Sequence, residues 1–196
     1  DELIQDLIPE VGWRRYFRRY HTPMVFKWHT LPLPQLRRVI YLIRDGRDAM
    51  VSYYHYECVM RRIQLDFMDF IKSGVSPKWH EHVGAWKRNP HGADLLEIRY
   101  EDLKKDTVRE MKRFCGFLGI EREEFFLHRV AELTSFERMH KREKRLGWGE
   151  GDPWPKDKMF VRRGIVGSYK DEMPSEALEL FMAESKGMLG KCGYLS

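Results

Sequence analysis

The stretch VIYLIRDGRDAMVSYYHY, residues 39 to 56, sets the reading of the whole chain. Val39 to Ile43 is a nearly continuous apolar run of β-branched and aromatic residues, the composition of a strand covered on both faces. Arg44, Asp45, Arg47 and Asp48 then crowd around Gly46, a turn residue. Ala49, Met50, Val51, Tyr53 and Tyr54 read as a helix starting rather than a strand resuming. Strand, charged turn, helix is the layout in which a parallel strand's carboxyl end and a helix N-terminus together form an anion site. Arg44 at the strand end and Ser52 in the second helical turn therefore become candidates for holding a phosphate monoester, one by a guanidinium fork and one by a hydroxyl. The plainer reading is an Arg–Asp surface network with Ser52 as filler.

Working outward, two further stretches look like strands: MVFKW at 24 to 28 and LLEIRY at 95 to 100. Helical material fills 46 to 63, 65 to 73 and 77 to 88. Thr107 with Glu110 has the form of a capping box, and Val108, Met111, Cys115 and Leu118 carry an apolar face that Gly119 ends. A helix is expected over 121 to 133 and another after Pro174, with Leu178, Phe181, Met182 and Leu189 inward. Residues 140 to 160, rich in Lys, Arg, Gly, Pro and Trp without periodicity, read as a long loop. Strands alternating with helices predict an α/β domain built on a parallel sheet with helices on both faces.

The 196 residues suit a single domain. With 42% hydrophobic and 33% charged residues the composition is that of ordinary globular protein. No run approaches a membrane span and no signal-peptide pattern is present. Cys58, Cys115 and Cys192 are too scattered for a disulfide framework or a zinc site, which fits a reducing, cytoplasmic setting. The net charge of +5 suits an anionic small ligand more than a polyanion wrapped on the surface.

VFKWHTLP at 25 to 32 ends with Lys27 and His29 on one side of the predicted strand. A histidine there can serve as a general base and a lysine can offset charge on a leaving oxygen. A lone strand-end histidine is more often a satisfied polar group. VRRGIVGSYK at 161 to 170 sets Arg162 and Arg163 beside Gly164 and Gly167, a pattern that lets backbone N–H groups and guanidinium forks approach one anion, or one that merely forms a basic turn.

The order FKWH, YLIRDGRDAMVSYY, IRYEDL, LTSFERM, RRGIVGSYK resembles the sulfotransferases that use 3′-phosphoadenosine 5′-phosphosulfate (PAPS), the cytosolic type and its bacterial relatives. The resemblance covers essentially all of the chain and makes it a P-loop-like sulfotransferase domain over 1 to 196. It implies that Arg44 and Ser52 bind the donor's 3′-phosphate, together with Arg162, Arg163 and Gly164. Arg163 stands where the family usually has Lys. It further implies that Tyr100, Thr134 and Phe136 contact the adenine side. His29 would be the catalytic base with Lys27 its companion. No metal, nucleic acid or membrane partner is implied, and the acceptor is a small molecule with a hydroxyl or amine. The family's first signature, PKSGTTW, has no counterpart, so the chain is expected to lack its N-terminal part, including the first strand. The family's dimerisation pattern keeps Lys170 and Glu179 but has Pro174 and Ser175 at its centre.

Two other classes fit part of the pattern. A P-loop nucleotide kinase could use Arg44 on a phosphate but should carry a Walker A loop. A non-catalytic 3′-phosphoadenosine-binding module could use the basic clusters at Arg14, Arg15, Arg18, Arg19 and at Lys141, Arg142, Lys144, Arg145 for polyanions, although Lys27 and His29 together argue for chemistry. Trp148, Trp154 and Phe160 either line an aromatic pocket or simply pack.

Overall fold

The structure is a computed structural model that describes residues 8–11, 23–73, 78–147, 154–155 and 157–195. Strand β1 (Arg38–Ile43) pairs in parallel with β2 (Asp94–Arg99), Tyr41 opposite Glu97 and Ile43 opposite Arg99. These two strands form the sheet of the described residues. The connection between them carries α1 (Gly46–Met60), α2 (Phe67–Lys72) and α3 (Trp79–Arg88). After β2 come α4 (Tyr100–Lys105), α5 (Thr107–Leu118), α6 (Glu124–Leu133), α7 (Phe136–Leu146), α8 (Tyr169–Glu172) and α9 (Ser175–Lys191). The result is a mixed α/β fold with a small parallel sheet and many helices.

The strand–turn–helix reading of 39 to 56 matches β1 and α1. Asp45 caps the helix, its carboxylate accepting from the Arg47 N–H at 2.9 Å. Alternation along β1 turns Val39, Tyr41 and Ile43 toward Met50, Val51, Val83, Trp86 and Leu189. Leu42, on the opposite face, stays 68% exposed, so the described elements cover one face of this strand where two were expected. Burial of the aromatic layer formed by Phe67, Phe70, Trp79, Trp86 and Phe181 supplies the main hydrophobic contribution.

Three expectations are corrected. MVFKW is not a ladder strand: Lys27 makes a single parallel bridge to Glu10, with its N–H on Pro9 O at 2.9 Å and its carbonyl on Val11 N at 3.1 Å. That partner is too short to extend the pairing, and Phe26 remains 40% exposed. The cap of α5 is Asp106, one residue earlier than expected, whose side chain accepts from Arg109 N at 3.0 Å. Thr107 instead donates its hydroxyl back to Leu103 O at 2.8 Å. Residues 140 to 146 are helical, not loop, because Ser135 starts α7 and a run of Lys, Arg and Glu has good intrinsic helix propensity even without an apolar stripe.

Gly46 is more than a turn residue. A Cβ there would lie 2.5 Å from Trp79 Cδ2 and 2.7 Å from Phe181 Cζ. Gly46→Ala should therefore destabilise by about 1–3 kcal/mol through overpacking, lowering the thermal midpoint by roughly 3–10 °C. A scan showing an unchanged midpoint would mean that α1 and α3 are not packed this closely.

Candidate functional site

The site begins where β1 ends. The Arg44 guanidinium lies 4.4 Å from the centre of the Tyr100 ring, at the start of α4. Its Nη2 donates to Ile165 O at 3.0 Å and stands 3.7 Å from Asp48 Oδ2. Its Nε is buried with no hydrogen-bond partner among the described residues. A buried cationic N–H left without an acceptor is costly, and an anion's oxygen is the chemistry that satisfies it.

Asp48, one helical turn further on, binds the two halves of the corner. Its buried carboxylate accepts from Gly167 N at 2.7 Å, Tyr169 N at 3.0 Å and Ser168 Oγ at 3.3 Å. The segment carrying Arg162, Arg163 and Gly164 is thereby held against the beginning of α1. Gly164 adopts φ 61°, and a Cβ on it would sit 2.4 Å from Phe136 Cδ2. Both the backbone angle and the contact demand glycine.

Glu172 collects the arginines. Arg162 donates to it through both terminal nitrogens, the Nη2 bond being 3.1 Å, and Arg163 Nη1 donates at 2.9 Å. His55 Nε2 is 3.1 Å from the same carboxylate. Burial alone would raise the Glu172 carboxyl, yet Arg162, His55 and Arg163 together hold it below the usual range. His55 is pushed down by burial and by the Arg162 charge, so its imidazole favours the neutral form. Carboxylate and phosphate offer an arginine fork similar oxygen pairs, so Glu172 occupies the forks that an anion would use.

A cavity of about 1110 Å³ opens beside this corner, with Arg44, Ser52 and Arg162 in its lining. It follows one face of α1 past Tyr56 and Val59, and Trp154 and Phe160 form the facing wall. The Tyr56 ring stacks on Trp154 at 6.0 Å, and Phe160 meets Trp154 edge-on at 5.1 Å. Burial, then a hydrogen bond to Glu57, pushes the Tyr53 phenol up to about 12, so it remains a neutral hydroxyl. Trp148 lies outside the described residues.

Not every residue singled out in the sequence comes together here. Thr134 ends α6 and donates its hydroxyl to Val130 O at 2.8 Å. Phe136 stacks on His140 at 5.4 Å, with Lys104 Nζ 5.6 Å from its centroid. Lys27 and His29 do not belong to the cavity's described lining. His29 Nε2 stands 4.0 Å from Glu10 Oε2 with its side chain 67% exposed. Lys141, Arg142, Lys144 and Arg145 are exposed on α7 around Glu143, which is buried and accepts from Phe160 N at 2.5 Å and Val161 N at 2.8 Å. The Arg14 to Arg19 cluster lies outside the described residues.

Sequence reasoning did not foresee the tether at Asp48, the clamp at Glu172 or the part of His55. Asp48 carried one local signal, its four-residue spacing from Arg44; Glu172 and His55 carried none. Cys58 and Cys115 are half-buried and Cys192 buried, all three as free thiols. No helix of the described residues is long and apolar enough to cross a membrane.

Comparison with known proteins gives this corner its context. Sulfotransferase 1A1 of Bos taurus is 29% identical over 183 residues, covering 88% of this chain and 61% of that protein. Sulfotransferase 1B1 of Mus musculus is 31% identical over 185 residues, covering 84% and 60%. Retinol dehydratase, solved with retinol and PAP, superposes with a TM-score of 0.68 at 25% identity, over 85% of this chain and 53% of its own. Mouse sulfotransferase SULT7A1 complexed with PAP gives 0.62 at 25% identity, over 80% and 61%. The chain thus spans about three-fifths of the length of several curated relatives it matches. With residues 13–193 matching the sulfotransferase domain, the chain belongs to the sulfotransferase domain family.

Proposed function

We propose that the protein transfers a sulfuryl group from PAPS to the hydroxyl or amine of a small-molecule acceptor. One observation carries the reading: a buried, unpartnered Arg44 Nε at the end of a parallel strand, in a cavity it shares with Ser52 and Arg162. Arg44, Ser52, Arg162, Arg163 and the Gly164 backbone would hold the donor's 3′-phosphate. Tyr100, Thr134 and Phe136 would meet its adenosine. When bound, the donor supplies an activated sulfuryl group on a phosphate leaving group. His29 takes the acceptor's proton, and Lys27 offsets negative charge at the bridging oxygen. Positioning and fixed charge carry the acceleration in this scheme. A parallel sheet with helices on both faces and a cytosolic setting belong to the same reading; three free thiols and a curated relative called cytosolic sulfotransferase 1, of Danio rerio, support the latter.

The test is calorimetry with adenosine 3′,5′-bisphosphate and 5′-AMP, followed by transfer of labelled sulfate from PAPS to a set of phenols and amines. The bisphosphate should bind at least about tenfold more tightly, the worth of one charge-assisted contact to the extra phosphate. Equal binding of the two nucleotides, with no transfer, would overturn the assignment.

A further inference from the structure

The C-terminal end of α1 breaks a backbone rule. Arg61, Arg62 and Ile63 bond back through their N–H groups to the carbonyls of Glu57, Val59 and Cys58, closing the helix. Arg62 takes φ 54° there, in the left-handed region that glycine or asparagine normally occupies. An outlier of this kind, held by a residue with a long side chain, calls for a reason outside the backbone.

The reason lies in the cavity. Its neighbour Arg61 is paired, Nε to Glu57 Oε2 at 2.5 Å, but the Arg62 guanidinium has no partner among the described residues, and Arg62 lines the cavity. Lys158 joins it in the lining, its ammonium likewise without a described partner. The described lining sets Arg44, Arg62, Lys158 and Arg162 against Asp157 as its one carboxylate. Arg44 and Arg162 belong to the phosphate corner. Arg62 stands at the other end of the helix, about 15 Å beyond Ser52 at 1.5 Å per residue. Tyr56, Val59, Trp154 and Phe160 lie between, apolar and aromatic. A cation at each end of an aromatic trough fits a molecule with an acid on its far end.

We propose that Arg62 determines acceptor specificity by binding an oxyanion, such as a carboxylate, remote from the acceptor hydroxyl. The acceptor class is then a flat, apolar body with a hydroxyl at one end and an acid at the other. This rests on the sulfotransferase reading for the hydroxyl end only. A charged nucleotide repels an anionic acceptor unless cations lie beside the acid, and Arg62 with Lys158 supplies them. The fork of Arg62 also suits a planar carboxylate, which makes lysine a poor substitute.

The experiment compares 4′-hydroxybiphenyl-4-carboxylate with its methyl ester by calorimetry, on the protein with and without adenosine 3′,5′-bisphosphate. The acid should bind about tenfold or more tightly than the ester, and Arg62→Gln should erase that preference through the acid alone. Arg62→Gly should erase it too while holding or raising the thermal midpoint, because glycine relieves the left-handed backbone. Equal affinities in the unaltered protein, binding of neither compound, or a preference that survives Arg62→Gln would overturn the proposal. So would an Arg62→Gly protein that loses thermal stability and keeps the preference, since Arg62 would then serve the helix end alone. Binding is scored without turnover, so failure of the sulfotransferase reading shows separately, as absent bisphosphate binding and absent transfer.

Discussion

Arg44→Ala is expected to weaken adenosine 3′,5′-bisphosphate by about 10- to 100-fold while changing 5′-AMP little, the loss of one charge-assisted phosphate contact. The argument starts from the buried Nε, which has no acceptor within the described residues and faces a site where Ser52 and Arg162 also open. The remaining contacts of Arg44 are weaker commitments. Ile165 O can turn to water, being on an exposed residue, and the Asp48 carboxylate keeps its three other donors at Gly167, Ser168 and Tyr169. The corner therefore survives the substitution, and the change falls on the ligand. Arg44→Lys restores the charge but not the fork, so it should recover only part of the affinity. Calorimetry on both nucleotides decides the matter. Equal losses for the two would place Arg44 on something other than the 3′-phosphate.

Residues 39 to 56 were legible because their information is local. A β-branched run, a Gly–Asp turn and a capped helix are specified within a few residues of one another. The same holds for α5, whose apolar face is regular, although the cap moved to Asp106 because its side chain reaches Arg109 N while Thr107 bonds backward. MVFKW failed for the opposite reason. A strand exists only with a ladder, and its composition says nothing about whether a partner of sufficient length lies alongside. The first half of the supposed loop at 140 to 160 failed because α7 buries little more than Glu143, leaving no apolar period to read.

The candidate site divides in the same way. Arg44, Ser52 and Arg162 could be named from motifs, and all three line the cavity. What organises them could not. Asp48 reaches residues 119 to 121 positions away, and Glu172 joins Arg162, Arg163 and His55 by contacts that no spacing announces. Such carboxylates read as surface charge in a sequence and as the frame of the site in three dimensions. Trp154 and Phe160, ambiguous between lining and packing, do both: they pack on each other and on Tyr56 while facing the cavity.

His29→Ala should lower sulfuryl transfer by about 10²- to 10⁴-fold, the usual worth of a positioned general base, and leave bisphosphate affinity unchanged. The backbone that carries His29 is anchored on both sides. Lys27 is bonded to Pro9 and Val11, and Thr30 O accepts from Trp86 Nε1 at 3.1 Å and His82 Nε2 at 3.2 Å. His82 is the nearby alternative base, but its ring is committed. Burial pushes it down toward the neutral form, its Nε2–H goes to Thr30 O, and its Nδ1 accepts from the Tyr41 hydroxyl at 3.2 Å. His29 is two-thirds exposed, with Glu10 Oε2 at 4.0 Å as its nearest charged group, so its ring remains open to an incoming hydroxyl. Neither residue lines the cavity with Arg44, which is why nucleotide binding should not respond. The discriminating measurement is a single-turnover assay across pH 5.5 to 8.5 for the unaltered protein and for His29→Ala and His29→Gln. The unaltered protein should show an acid limb set by one ionisation near the ordinary histidine value of about 6.5, and that limb should vanish in both variants. Turnover close to normal at neutral pH in His29→Ala, with the acid limb intact, would show that another group removes the acceptor's proton.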